Sequence, residues 1–475
     1  MEHDDVIIGL EIHCQLNTNS KLFCGCSTDF RDDEPNSHTC PVCLGLPGSM
    51  PVVNKRAIEF AMRVGKAFNC SILKKSEFSR KNYFYPDLDK AYQITQYEKP
   101  LAEWGELLIE GEDGERKIRI TRIHLEEDPG RSIHMGTTDL GKYTLIDYNR
   151  AGVPLIEIVT EPDLRSPKEA RRFLNKLRAT LEYLDVFDSE KEGALRVDAN
   201  ISLKGSGRVE VKNISSYKGV EKALTFEITR QHNVIRRGQI VVRETRHFVE
   251  ARGTTTSSRS KEEENDYRYF PEPDLKPMHV SDWVDNVVLP ELPDARRKRF
   301  IQRYNISPEH ARTLTGGLKL AEFYEEVAGE DPGLTATWTS DYLLGELNYR
   351  NCSIDAMPAD IFKELISQIK IRTITNKSAV EILRILLDQV KEGKTPEKPT
   401  SIILRLGLAK TEGDEIVDIV RQVIAENPQP VADYHEGKGP ALNFLVGQVM
   451  KKCRGRVDPS YLNALLHKEL GGKMV

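Results

Sequence analysis

A change of texture at Leu289-Pro290-Glu291-Leu292-Pro293 sets the strongest limit on how this chain can fold. Before it, several segments alternate apolar and polar residues at the two-residue period of a half-buried strand. After it, strand signals almost vanish and apolar residues recur at helical spacing. One chain therefore carries two construction rules. The expectation is a large α+β domain built on an antiparallel sheet over residues 1–293, a helical domain over 294–400 and a small helical tail over 401–475.

Individual segments follow these rules at the level of pattern. In Val6–Leu16, Ile8, Leu10, Ile12, Cys14 and Leu16 face one way, and Glu11, His13 and Gln15 the other. Ser166-Pro167-Lys168-Glu169 is a capping box with proline at the first helical position, followed by Phe173, Leu174, Leu177, Leu181 and Leu184. Leu195–Leu203 alternates, turns at Lys204-Gly205-Ser206-Gly207 and continues through Arg208–Ile214 as a hairpin. Ala359–Ile371 and Ala379–Val390 read as amphipathic helices, and Lys391–Pro399 as a linker between two helical units.

With 39% hydrophobic and 30% charged residues the composition is that of a soluble globular protein. No run approaches the roughly 18–20 apolar residues that span a bilayer. The acidic opening Met1-Glu2-His3-Asp4-Asp5 argues against a secretory signal, so a cytoplasmic location is expected. The net charge of -5 excludes a whole-protein electrostatic grip on nucleic acid, but from Lys438 onward seven basic residues face two acidic ones.

Eight cysteines are present, and four of them form Cys24-x-Cys26 and Cys40-x-x-Cys43. In a reducing compartment, paired close spacing of this kind suits tetrahedral zinc held by four thiolates. Four ligands leave no open coordination position, so this zinc is expected to be structural. The bland alternative is four buried or free thiols.

Acidic residues recur on strand-like segments. Glu157 sits inside the apolar run Val153–Val159, where a buried carboxylate needs a cation; an edge strand with Glu157 facing water is the other reading. His124-Leu125-Glu126-Glu127-Asp128 places three acids at a strand end, and Arg196, Asp198, Asn200 and Ser202 share one face. Together with Glu11 and His13 they suit an oxygen-rich magnesium site that nucleotide phosphates complete. A solvated polar sheet face is the competing reading for any one strand. Lys81–Gln96, dense in tyrosines, lysines and amides, is either a substrate loop or an aromatic-stapled one. There is no phosphate-binding P-loop, since Asp388 stands where Gly393-Lys394-Thr395 would need a glycine, and no Rossmann glycine fingerprint. No glutaminase nucleophile is visible either.

Ile8-Gly9-Leu10-Glu11-Ile12-His13, Arg80–Asp87, His124–Asp128, Pro154–Val159 and Asp266–Asp274 occur in one order, followed by Gly437-Lys438-Gly439 and Leu445-Val446-Gly447-Gln448. In these segments the chain resembles the B subunit of the tRNA-dependent aspartyl/glutamyl amidotransferase, nearly end to end. The resemblance implies a cradle domain similar to glutamine synthetase, then a helical domain and a tail that touches tRNA. It implies ATP-dependent phosphorylation of the side-chain carboxylate of Glu-tRNA(Gln) or Asp-tRNA(Asn), then attack by ammonia. The ammonia would come from an amidase A subunit, joined through a small C subunit. By motif, His13, Glu127 and Glu157 would hold magnesium, with Glu11 and Asp198 nearby, and Tyr83 and Lys90 would lie where acyl-phosphate meets ammonia. Asp89 and Ala91 stand where the family often has proline and glycine. Val280–Ile306 leaves no room for the insertion of the related archaeal E subunit. The contrasting class is a non-catalytic zinc protein that binds tRNA or assists assembly.

Overall fold

The computed structural model describes residues 5–471 except 113, 137–142, 190, 192, 215, 260–266, 330, 411–413 and 454. It divides into two compact units, 1–293 and 294–475. Asp266, Arg454 and Lys473, each part of a motif or charge run above, lie outside the described residues.

The first unit is organised by a nine-stranded sheet among the described residues. In chain order its strands are β1 (Val6–Gln15), β2 (Ser71–Ile72), β3 (Ala102–Glu110), β4 (Glu115–Glu127), β5 (Pro154–Thr160), β6 (Leu195–Leu203), β7 (Val209–Ile214), β8 (Glu244–Val249) and β9 (Thr254–Arg259). They lie side by side as β9-β8-β7-β6-β1-β5-β4-β3-β2. Every pairing is antiparallel except β7 with β8, which run parallel. That exception has a chain reason: the long helix between these two strands returns the chain to the same end of the sheet.

One face of the sheet is apolar. Ile8, Leu10, Ile12, Ile123, Leu125, Ile156, Ile158 and Val197 are all buried on it. Three helices share this core: α1 (Lys55–Ala67), α2 (Pro167–Tyr183) and α3 (Tyr217–Arg236), through Phe60, Phe173, Leu177, Val220 and Leu224. Local chemistry starts these helices where they are needed. Asn54, Ser166 and Ser216 each accept a backbone N–H of the first turn, and Pro167 opens α2. The expected capping box is half formed, because the Glu169 carboxylate accepts from Arg165 N rather than from the cap residue.

A smaller sheet joins two distant motifs. Ser79–Asn82 pairs with Tyr92–Thr95 on one side and with Phe270–Pro271 on the other. Arg80 forks onto the buried Glu272 at 2.7 and 2.8 Å and covers the Tyr92 ring. This clamp fixes the tyrosine-rich segment against the 267–274 loop.

The second unit is helical and has two cores. One gathers Phe323, Trp338, Phe362, Leu365, Leu383, Leu387, Ile402, Ile403 and Leu408; the other gathers Ile416, Val420, Leu445, Val449, Leu462 and Leu466. The helix Pro399–Leu406 packs in the first core and stops at the left-handed Gly407, so the second core begins after it rather than at residue 401. The 392–398 connection joins helices of one core, and Glu397 is tied back to Gln389. Among the described residues no helix is long and apolar enough to cross a membrane.

Candidate active site and cysteine cluster

The opposite face of the nine-stranded sheet is built of ionisable groups. Pairing of β1 with β5 sets His13 opposite Glu157, and pairing of β5 with β4 sets Glu157 opposite His124. Side chains alternate along a strand, so Glu126 shares the face of His124 while Leu125 points into the core. His13 Nε2 lies 3.4 Å from Glu157 Oε2 and 3.5 Å from Glu126 Oε1, and His124 Nε2 lies 3.3 Å from Glu157 Oε2. One donor atom from each of His13, Glu126 and Glu157 lies within 4.8 Å of the others. One imidazole and two carboxylates so disposed suit a divalent cation.

A second acidic group adjoins it. Glu11 faces Asp198 across β1 and β6, and Asn200 faces Glu210 across β6 and β7. Glu11, Asp198 and Glu210 again offer oxygens within 4.8 Å of one another. Here the protein supplies its own cation, Lys212 Nζ, 2.6 Å from Asp198 and 3.7 Å from Glu210. Both groups line one cavity of about 560 Å³. Lys81, Arg122, Arg208 and Arg243 also line it, with Tyr97 and Tyr269 stacked 4.0 Å apart on one wall. Such a cavity pairs a cation-binding floor with cationic walls suited to phosphate.

Burial and neighbours move the protonation equilibria in opposite directions. Burial acts to lower the His13 pKa, but the hydrogen bond and charge of Glu157, then the charge of Glu126, outweigh it and raise it to about 9. Burial alone would raise Glu157; His124 and His13 instead hold it well below the usual carboxylate range. Glu11 is raised, by burial first and by Glu157 second. The site is an acid–imidazole network in which each charge depends on its neighbours.

One member of the expected trio stands apart from the other two. Glu127 does not join His13 and Glu157; its carboxylate is held by Lys90 Nζ at 2.6 and 2.7 Å and by Ile94 N at 3.0 Å. Strand parity is the reason, since Glu127 is out of phase with His124, whereas Glu126 shares its face and stands beside His13. Lys90 and Glu127 are both nearly buried, and the pair sits behind the cavity rather than on its lining. Gly45 makes room for it: its φ is +60°, and a Cβ there would run into the Lys90 side chain. Tyr83 reaches Gln93 Oε1 at 3.4 Å and likewise does not line the cavity. Ala91 takes φ +59°, a left-handed conformation natural to the glycine expected there. Glu11, His13, Glu157 and Asp198 are all on the cavity wall. His124 and Glu126 join the cluster although the sequence motif alone does not assign them to it, and their signal is the alternation His124-x-Glu126. Glu210 and Lys212 are additions to the sequence-derived set, although they alternate on the hairpin strand that follows Asp198.

The cysteine cluster is separate. Cys24, Cys26, Cys40 and Cys43 place their sulfurs within 4.8 Å of one another, near the roughly 3.8 Å spacing that four 2.3 Å zinc bonds would impose. Tight turns set this up: Leu44 N donates to Cys40 O at 3.0 Å, and Cys40 N to Cys43 Sγ at 3.1 Å. The fully buried Lys21 lies with Nζ 3.6 Å from Cys43 Sγ and donates to His38 O at 2.7 Å. A hydrogen bond from Cys24, together with Lys21, pushes the Cys43 thiol down to about 4. The four residues form a site able to bind a metal ion.

A family model described as the GatB/GatE catalytic domain matches residues 6–285, and one described as the GatB domain matches residues 322–470. The chain belongs to the GatB family. The B subunit of the aspartyl/glutamyl-tRNA(Asn/Gln) amidotransferase of Methanospirillum hungatei is 77% identical over 474 residues, covering 100% of each chain. The proteins of the same name from Methanoregula boonei and Methanococcoides burtonii are 66% and 54% identical, covering 97% and 98% of each chain. In this family member the first match covers the sheet with its ionisable face, and the second covers most of the helical unit.

Proposed function

We propose that this chain is the ATP-dependent ligase subunit of a tRNA-dependent amidotransferase, converting Glu-tRNA(Gln), Asp-tRNA(Asn) or both to their amides. The observation that carries this reading is the single cavity that joins the His13–Glu126–Glu157 cluster to cationic walls. The relatives' name supplies the substrate class.

In the first step a carboxylate oxygen of the aminoacyl group takes the γ-phosphoryl group of ATP, and ADP leaves. In the second, the nitrogen of ammonia bonds to the acyl carbon, the bond to the phosphate oxygen breaks, and inorganic phosphate departs with loss of a proton from nitrogen. Lys81, Arg122, Arg208 and Arg243 hold phosphate oxygens, and the buried carboxylates would hold the nucleotide's counter-cation. A magnesium ion held by His13, Glu126 and Glu157 would neutralise the charge that develops on the transferring phosphoryl group. Glu11 and Asp198, steadied by Lys212, shape the adjoining end of the cavity. Tyr83 and Lys90, behind the cluster, lie on the side from which ammonia approaches.

The large sheet, read with the family, supports a cradle similar to glutamine synthetase. Zinc in the cysteine cluster has a structural role. Ammonia comes from a partner amidase A subunit, bridged by a small C subunit into a cytoplasmic heterotrimer, and the helical unit binds tRNA. Purified chain, ATP, magnesium, ammonium chloride and Glu-tRNA(Gln) or Asp-tRNA(Asn) should yield amidated aminoacyl-tRNA. Glutamine should support the reaction only when the amidase is added. Amide formation from glutamine by the isolated chain, or none from ammonia, would overturn the reading.

A further inference from the structure

Three of the five described basic residues from Lys438 onward have partners within the protein. Lys438 Nζ pairs with Asp433 and Glu436 at 2.8 Å each, Lys452 with Glu426 at 2.7 Å, and Arg456 donates to Gly407 O at 2.6 Å. A different place in the helical unit gathers basic groups. A cavity of about 590 Å³ opens between the two helical cores, lined by Lys370, Arg372, Lys377 and Lys410 against Asp331 and Asp458.

Both acids have other work. Asp331 Oδ1 accepts Leu334 N at 3.1 Å, and Asp458 Oδ1 accepts Ser460 N at 2.8 Å and Tyr461 N at 3.4 Å, each capping its own helix. Arg372, Lys377 and Lys410 form no ion pair among the described residues; Arg372 and Lys410 act on Asp458 only from a distance, after the backbone hydrogen bonds that chiefly lower its pKa. The backbone aims these groups. Arg372 adopts φ +59° just past Ile371, the cap of the helix Ala359–Lys370, and Ile374 bridges Ala409 while Lys410 N donates to Thr373 O at 2.8 Å. That short ladder carries Arg372 and Lys410 on one wall. Thr375 Oγ1 donates to Gly455 O at 3.1 Å, and the Lys377 stem lies over Gly455, so close that a Cβ there would sit 2.7 Å from Lys377 Cδ. The second core thus holds Lys377 at the seam.

We propose that this seam is a phosphate-binding site for the RNA backbone, with Arg372, Lys377 and Lys410 as its contacts. The proposal rests on tRNA being the substrate and places a principal phosphate contact between the helical cores instead of along the terminal basic run. The three contacts all come from segments of the first core, and the second core closes the cavity through Gly455 and Val457. Phosphate contacts of this kind position a nucleic acid without reading its bases.

The test is tRNA binding, followed by fluorescence anisotropy across a range of KCl concentrations, with full-length chain carrying Lys377→Gln and Lys410→Gln. The double variant should bind tRNA about tenfold more weakly at moderate salt, and its salt slope should fall by roughly two. Lys377→Arg with Lys410→Arg should restore both, which separates lost charge from lost fold. The rate at saturating tRNA should stay unchanged, with the effect confined to KM. Unchanged affinity and slope in the Gln variant, or failure of the Arg variant to rescue, would overturn the site. A variant that loses ATP or inorganic phosphate binding while holding tRNA normally would overturn the RNA assignment in favour of a free phosphate ligand. Binding needs no turnover, so if wild-type protein binds tRNA yet forms no amide, the proposed reaction fails while the seam is still tested.

Discussion

The cysteine cluster and the carboxylate cluster are both four-residue neighbourhoods with metal-ligating chemistry, yet they are assembled in opposite ways. The cysteines come from two tight turns within twenty residues, and their geometry is settled by local backbone hydrogen bonds. His13, His124, Glu126 and Glu157 come from three strands and meet only because the sheet registers β1, β5 and β4 correctly. A local site survives errors in distant pairing. A site spread over a sheet fails with a one-residue slip, which turns every side chain to the other face.

Replacing Cys40 and Cys43 by serine should produce the largest effect, on stability. Zinc content should fall from one per chain to near zero, with a loss of about 5 kcal/mol or more in the first unit. Metal analysis and thermal melts check this; a zinc-free protein with an unchanged melting temperature would show the cluster to be idle. Glu157→Gln should act on the other cluster. Acyl-phosphate formation should slow about a thousandfold, or roughly 4 kcal/mol in the barrier, while zinc and melting temperature hold.

The neighbouring acids test the contrast more closely. Glu127→Gln leaves Lys90 buried without its anion and should cost roughly 3 kcal/mol of stability. Glu126→Gln should leave the melting temperature nearly in place and lower kcat about a hundredfold. If the two outcomes are exchanged, Glu127 is the ligand and the parity argument is wrong.

The smallest effect concerns acid. Burial would raise the Asp128 pKa, but Arg196, 2.6 Å away, with Arg150 and Gln15, holds it below the ordinary 3.8. A depressed carboxylate contributes stability above its unfolded pKa and loses it as pH falls through the folded value. Asp128→Asn should therefore be about 2 kcal/mol less stable at pH 7, with the gap closing below roughly pH 4. Urea melts at pH 7 and pH 3 measure the difference, and a pH-independent gap would rule out the ion pair as its source.

Much of the architecture is legible in short stretches of residues. The first strand, the capped helix after Ser166, the hairpin after Leu195 and the helical region past Pro293 all follow from periodicity and caps, which are properties of a few adjacent residues. The helix Pro399–Leu406 is harder to place. A proline-rich approach looks like a linker in sequence, and only packing of Ile402 and Ile403 reveals which core owns the helix.

The alternation that makes one sheet face apolar, the four-cysteine spacing and the switch to helices are all written in neighbouring residues, because backbone geometry has a fixed local period. No such local rule says that Glu126 rather than Glu127 stands beside His13, that Lys212 lies against Asp198, or that Arg372, Lys377 and Lys410 gather at one cavity. Those outcomes come from folding in three dimensions. They depend on strand register and on how helices dock, and register is a property of pairs of segments far apart in the chain.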